Sequence, residues 1–281
     1  MAGKRNLKIC VICVVCLFAL VISGFISVDS EDFNIPVYLH GIMVLEGTVI
    51  DEVTYVSLSA FLNGIRMEAD IYWDESTNTA TITNEYLELI AAFGDLYIYA
   101  NGRYLYVPDG VLKRNELLMV PLCVIARVFN VGLVWSEDEM CLSVTLDMSE
   151  FEILEHGSTF YDAHDLNWLS RVISAEARDQ SLKGMIAVGN VVLNRVEYPE
   201  FPDTIHGVIF DVRHGIQFHV IEGAIFAEPT QKAIIAAKIS LEGYNVVYDA
   251  MFFVNPTIGA TAWFNRTRTF VMTIGCHNFF S

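Results

Sequence analysis

What this 281-residue protein lacks narrows its chemistry before any motif is read. Positive charge is scarce: 17 Lys and Arg stand against 34 Asp and Glu, a formal net charge of -17. Nucleic-acid binding rests on Lys and Arg neutralising phosphates, so this balance counts against it. An anionic surface would not draw the protein electrostatically either. The deficit is uneven. Residues 1–164 hold 23 acidic and 8 basic side chains (-15), whereas residues 165–281 hold 11 and 9 (-2). Cysteines number six, with Cys10, Cys13 and Cys16 in an N-terminal apolar run and Cys123, Cys141 and Cys276 in the body. The body has no C-x-x-C pair, and three cysteines cannot close a disulfide framework, so buried thiols are expected there. No H-E-x-x-H metal pair is present, and His214 and His219 are five apart with Gly215 between. No G-x-S-x-G elbow marks a serine nucleophile. Cys276 and His277 are adjacent, which is poor geometry for a nucleophile and its base. Low-complexity tracts are missing too. With 53% hydrophobic and 18% charged residues the sequence can bury real cores, and its length suffices for two domains of roughly 100–200 residues.

At the start, Lys4, Arg5 and Lys8 precede an apolar run from Ile9 to Val28. Basic residues before an apolar stretch open an export signal, and this run is also long enough to span a bilayer. Residues 1–30 are therefore expected to act as a signal peptide or an N-terminal membrane anchor through residues 9–28. Either places the remainder outside the cytoplasm, because the positive residues stay inside.

Residues 33–148 read as β-rich with short helices, and they repeat. Thr54-Tyr-Val-Ser-Leu-Ser-Ala-Phe61 returns as Leu118-Met-Val-Pro-Leu-Cys-Val-Ile125. Each copy runs on to a tryptophan, Trp73 or Trp135, then to an alternating strand at 79–83 or 141–146. Near-constant spacing predicts one duplicated unit of strand, short helix and hairpin. This repeat resembles the copper amine oxidase N-terminal-like domain, on Val56 and Leu58, Val120 to Leu122, and the two Trp turns. The resemblance implies a wall-associating or spacing module. It implies no copper: His40 is the one histidine inside it, and one histidine is not a metal site. Trp73 and Trp135 are expected in the core, since each recurs at the same place.

Residues 149–164 are polar and acidic and read as a linker. Beyond it, residues 165–281 predict an α+β domain with helices first and a small sheet at the end. A first helix covers 167–178, a second 183–196 and a third runs from Pro229 to Gly243. A strand is expected at 246–254, and 270–274 should pair with 277–280 about Gly275-Cys276. The first helix carries Leu169, Val172, Ile173 and Glu176 on one stripe. A carboxylate facing a core must be paired or held with a raised pKa, and a raised-pKa acid is what general-acid chemistry needs. The alternative is a helix-edge Glu that swings out to water.

With metal and nucleophile patterns missing, carboxylate chemistry remains. Glycoside cleavage needs an acid to protonate the bridging oxygen, and ordinary hydrolysis adds a second carboxylate. Glu176 has none on its apolar face. A single acid still suffices if it also takes the proton from a sugar hydroxyl that closes on the anomeric carbon, which is lytic transglycosylation. Here the residues reach a family. Leu169-Ser-Arg-Val-Ile-Ser-Ala-Glu-Ala-Arg178, Ala187-Val-Gly-Asn-Val-Val-Leu-Asn-Arg-Val196, Phe201-Pro-Asp-Thr-Ile205, Gln217-Phe218, Phe253-Val-Asn-Pro256, Trp263 and Ile274-Gly-Cys-His-Asn-Phe279 resemble, in order, the SleB-type cell wall hydrolases. The resemblance implies a lysozyme-like, mainly helical catalytic domain acting on peptidoglycan glycan strands, in spore cortex or vegetative wall, with no cofactor. Glu176 matches the catalytic acid, and Gln217, Asn255 and His277 match positions lining the groove. Gln180 stands, after Asp179, where the family usually has Gly-Glu, and His219 replaces a serine. Gln180 is expected to orient substrate with its amide but without the charge. Asn194 is expected to tie the first two helices together. Two other readings stay open: a glycan-binding protein with weak or no catalysis, and a metal-dependent amidase.

Overall fold

The computed structural model describes residues 32–39, 42–136, 140–145, 152–213, 218, 223–257 and 261–281. The apolar run at 9–28, His40, His214, Gln217 and His219 lie outside these residues. Among the described residues no helix is long and apolar enough to cross a membrane. The protein divides into two compact units, Met1–His156 and Gly157–Ser281.

The first unit begins with β1 (Phe33–Leu39), β2 (Ile42–Ile50), β3 (Val53–Ser57) and helix α1 (Leu58–Gly64). Then follow β4 (Asp70–Asp74), β5 (Thr79–Thr83), β6 (Glu88–Ala92), β7 (Tyr97–Ala100), β8 (Arg103–Tyr106) and β9 (Leu112–Arg114). The second copy of the repeat supplies β10 (Leu117–Pro121), α2 (Leu122–Val128), β11 (Gly132–Ser136) and β12 (Cys141–Thr145). The duplicated strand, helix and hairpin are thus present, but the two hairpins part company. β4 and β5 open an antiparallel five-stranded sheet, β4-β5-β6-β7-β8. β11 and β12 join a seven-stranded one, β11-β12-β1-β2-β3-β10-β9. α1 starts where the Ser57 hydroxyl accepts from Ala60 N at 3.3 Å. The helices meet at Phe61 and Phe129, whose ring centroids are 5.8 Å apart in the shared core. Trp73 and Trp135 pack against that core but are only half-buried, where the repeat had placed them within it. Of the body cysteines, Cys141 is buried but Cys123 and Cys276 are exposed, contrary to the expectation of buried thiols.

The second unit runs α3 (Gly157–Phe160), α4 (Ala163–Ala177), α5 (Leu182–Glu197), α6 (Ile205–Ile209), a 3-10 turn at Ala224–Phe226, α7 (Gln231–Leu241), β13 (Phe252–Val254), α8 (Thr261–Thr267), β14 (Phe270–Ile274) and β15 (His277–Phe280). The α+β class expected from sequence, β-rich first and helical with a small sheet second, is the one found. α4 begins four residues earlier than its periodicity suggested, because the Asp162 carboxylate caps it, accepting from His164 N and Asp165 N. Ser181 and Thr230 cap α5 and α7 in the same way.

The strand expected at 246–254 shrinks to Phe252–Val254. Side groups of α5 take the backbone atoms that a longer strand would have used. Asn190 donates to Tyr244 O at 2.7 Å and accepts from Val246 N. Asn194 donates to Tyr248 O and Ala250 O, and Arg195 Nε to Met251 O at 2.7 Å. Asn194 therefore pins this loop to α5 and does not join α4 to α5. The loop delivers β13 to the edge of the sheet β13-β15-β14.

α4, α5 and α7 pack mutually, and Gly189 of α5 faces both of the others. A Cβ there would sit 2.7 Å from Ser240 Oγ on α7 and 2.9 Å from Ile173 Cδ1 on α4. Neither neighbour is a free end in solvent: Ile173 is 0% and Ser240 2% exposed. Gly189→Ala is expected to destabilise the unit by about 1–3 kcal/mol through overpacking. A lowered urea midpoint would register the loss, and an unchanged one would show that the helices can separate at no cost.

Candidate active site

The stripe on α4 lies as its spacing predicted. Leu169, Val172 and Ile173 are each 0% exposed. Glu176, in the last turn, is half-buried, and its Oε1 is closed off from solvent. The swung-out, surface alternative is thereby set aside. The segment that follows the 3-10 turn is strapped along this helix. Arg171 donates to Phe226 O, to Ala227 O at 2.7 Å and to Glu228 Oε1 at 3.0 Å, and Thr230 N donates to Ser174 Oγ.

Gln180 occupies the corner between α4 and α5, four residues beyond Glu176. Its side-chain Oε1 accepts from Cys276 N at 3.2 Å, and its backbone oxygen accepts from Lys232 Nζ of α7 at 2.7 Å. Its Nε2 makes no hydrogen bond among the described residues. The corner thus meets the turn of the β14–β15 hairpin, where Ile274 pairs with His277 across Gly275-Cys276. Gly275 has φ 58°, a left-handed value that glycine adopts without strain, as the first position of such two-residue turns requires.

His277 leaves this turn pointing into the protein, 6% exposed. Its ring stands edge-on to Phe253 at 5.1 Å, and its Nδ1 is buried with no hydrogen-bond partner among the described residues. Burial holds its pKa below the ordinary 6.5, so the imidazole is neutral at neutral pH. A buried, unsatisfied polar atom is uncommon in folded proteins and is a reason to look for a ligand. β13 pairs with β15 through Val254 and Asn278. Continuing that register by one residue sets Asn255 opposite His277. Asn255 Oδ1 accepts from Thr257 N and Oγ1, shaping the turn, and its amide nitrogen makes no hydrogen bond among the described residues. Of the residues singled out in sequence, Gln180, Asn255 and His277 are therefore gathered at one end of the small sheet. Glu176 precedes Gln180 by four residues. Gln217 lies outside the described residues, but the adjacent Phe218 is buried 6.4 Å from the Phe253 ring.

Two features escaped the sequence reading. Arg195, 4% exposed, is ringed by Phe201, Phe218 and Phe252 at 5.1, 5.2 and 5.3 Å. Burial pulls its pKa down to about 10, opposed by the Asp211 carboxylate, so it remains a cation held by aromatic faces. Only its place one residue after Asn194 could have drawn attention to it. The second feature is Asp162, His164 and Asp165, whose ligand atoms lie within 4.8 Å of one another. These donors are already engaged: Asp162 caps α4, and His164 Nε2 accepts from the Trp168 indole at 3.1 Å.

Residues 179–280 match the family model described as Cell Wall Hydrolase, and residues 43–144 match the Copper amine oxidase N-terminal domain. A spore cortex-lytic enzyme of Oceanobacillus iheyensis is 34% identical over 119 residues, 42% of this chain and 42% of that protein. The spore cortex-lytic enzyme of Bacillus cereus is 31% identical over 119 residues, 42% of this chain and 45% of that protein. The chain thus spans less than half the length of these curated relatives. The solved catalytic domain of germination-specific lytic transglycosylase SleB from Bacillus anthracis aligns at 30% identity, over 46% of this chain and 100% of that chain, with a TM-score of 0.40. That of the Bacillus cereus SleB protein aligns at 30% identity, over 43% and 92%, with a TM-score of 0.39. Glu176 falls three residues before the cell wall hydrolase match begins.

His277 gives a pH dependence of known sign. Its folded pKa is depressed, so between that value and 6.5 the unfolded protein binds the extra proton and stability falls as pH falls. The urea midpoint is expected to drop as pH is lowered through 6.5, and to drop less in His277→Gln. An equal slope in both proteins would show that His277 titrates normally when folded.

Proposed function

From a cell wall hydrolase domain placed behind a copper amine oxidase N-terminal domain, we propose an exported, peptidoglycan-cleaving lytic transglycosylase that cuts glycan strands between N-acetylmuramic acid and N-acetylglucosamine. The observation that carries the reading is Glu176, a carboxyl group on the apolar stripe of α4 with one oxygen closed to water. A carboxylic acid so placed can act as the general acid towards a glycosidic oxygen. In the first half of the reaction Glu176 protonates the bridging oxygen and the leaving sugar departs. In the second, the resulting carboxylate takes the proton of a hydroxyl on the muramic acid sugar, and that oxygen bonds to the anomeric carbon. One proton is given and one taken back, water adds nothing, and the product ends in an anhydro sugar. This cycle needs a single carboxylate, in keeping with the lack of a second acid on the Glu176 face.

The other roles follow from position. His277 and Asn255, opposite one another at the end of the sheet, are proposed to line the groove, and Gln217 is proposed to bind the glycan with them. Neutral imidazole and amide groups suit a neutral sugar, which offers hydroxyl and acetamide groups to hydrogen bonds. The acidic first unit would be repelled by polyanions, so its role is proposed as spacing or holding the catalytic unit at the wall, with residues 9–28 as signal or anchor.

Digestion of purified peptidoglycan followed by mass spectrometry tests the reaction. Anhydro-muramic ends are expected, and Glu176→Gln should lower the rate roughly 10²–10⁴-fold. Hydrated reducing ends would replace transglycosylation by hydrolysis. Cell-wall binding without fragment release would leave a binding protein, and activity abolished by EDTA would favour the amidase.

A further inference from the structure

A side chain joins the corner between α4 and α5 to the β14–β15 turn: Gln180 Oε1 accepts from Cys276 N at 3.2 Å. Glycine at 275 suits this turn on two counts. A Cβ built there collides with Gln180 Oε1, and its φ of 58° is disfavoured for other residues. The next residue after Cys276 is His277, whose buried Nδ1 has no hydrogen-bond partner among the described residues. On the opposite side, Lys232 Nζ of α7 fixes the Gln180 backbone oxygen at 2.7 Å. The corner is thus held from behind by α7 and reaches forward to the hairpin.

We infer that Gln180 is a positioning residue: its side-chain oxygen locks the Gly275-Cys276 turn to the end of α4 and so fixes His277 relative to Glu176. The acceptor oxygen does this work, and a carboxylate would supply the same oxygen. The amide nitrogen is not required for it. For its catalytic readout the inference rests on the glycan-cleaving reading above, but its structural readout does not.

The test compares Gln180→Ala, Gln180→Glu and Gly275→Ala in the full-length protein, singly and combined. Gln180→Ala is expected to lower kcat about ten- to a hundredfold with KM little changed, because small misplacements near reacting groups cost rate more than binding. Gln180→Glu should restore most of that rate, since it keeps the acceptor. Amide hydrogen exchange in the peptide spanning residues 272–279 should speed up in Gln180→Ala and return towards wild type in Gln180→Glu. Gly275→Ala should cost less stability in the Gln180→Ala background than in wild type, because the collision has been removed. Hydrogen exchange unchanged by Gln180→Ala would overturn the inference, as would strict additivity of the two substitutions. A rise in KM alone, with Glu as poor as Ala, would also overturn it and assign Gln180 to direct contact with the glycan through its amide nitrogen. If wild-type protein cleaves no glycan, the proposed function fails, while exchange and additivity still decide the role of Gln180.

Discussion

Three helices share the core of the second unit because one residue among them has no side chain. At Gly189 the backbone of α5 lies against Ser240 of α7 and Ile173 of α4 closely enough that a methyl group would intrude on both. The candidate site is built on these three helices. α4 ends where Glu176 can be half-buried, α7 begins where Lys232 reaches the corner, and α5 turns its amides on the segment that leads to β13. Interiors packed to crystal-like density transmit such constraints, since no slack exists to absorb a shift.

Two buried bases in this unit solve the cost of burial in opposite ways. His277 gives up its charge, and only the neutral imidazole persists beside Phe253. Arg195 cannot do so and stays cationic, with three phenyl faces replacing water. The arginine is bonded through Nε to Met251 O, while Phe218 and Phe252 close on it from separate stretches of sequence. It therefore joins the loop after α6, α5 and β13, the last of which leads to Asn255.

Sequence carried the helices well, because apolar residues at steps of three and four leave little choice of face. Leu169, Val172, Ile173 and Glu176 on one side of α4 are an instance. It carried the hairpin at 270–280 too, where alternation and Gly275 coincide. It over-extended the strand before Asn255, since nothing local to residues 246–251 says that Asn190, Asn194 and Arg195 will take their backbone groups from 54 to 56 positions away. The same distance hid the true partner of Asn194. The aromatic setting of Arg195 was illegible for a like reason: Phe201, Phe218 and Phe252 become neighbours only in three dimensions. Gln180 could be singled out by comparison with a family, yet its bond to Cys276 N spans 96 positions.

The first unit closes on itself in a manner that bears on its history in the cell. β1 pairs antiparallel with β2 on one side and parallel with β12 on the other, Val37 lying beside Leu142. The seven-stranded sheet cannot be completed until nearly the whole unit has been made, because its opening strand waits for its closing one. Non-local pairing of this kind folds slowly. Under the proposed export, a polypeptide that must be threaded across a membrane in extended form gains from such a delay. In that case the parallel β1–β12 pair, which needs both ends of the unit, would be the last of the sheet's pairings to form.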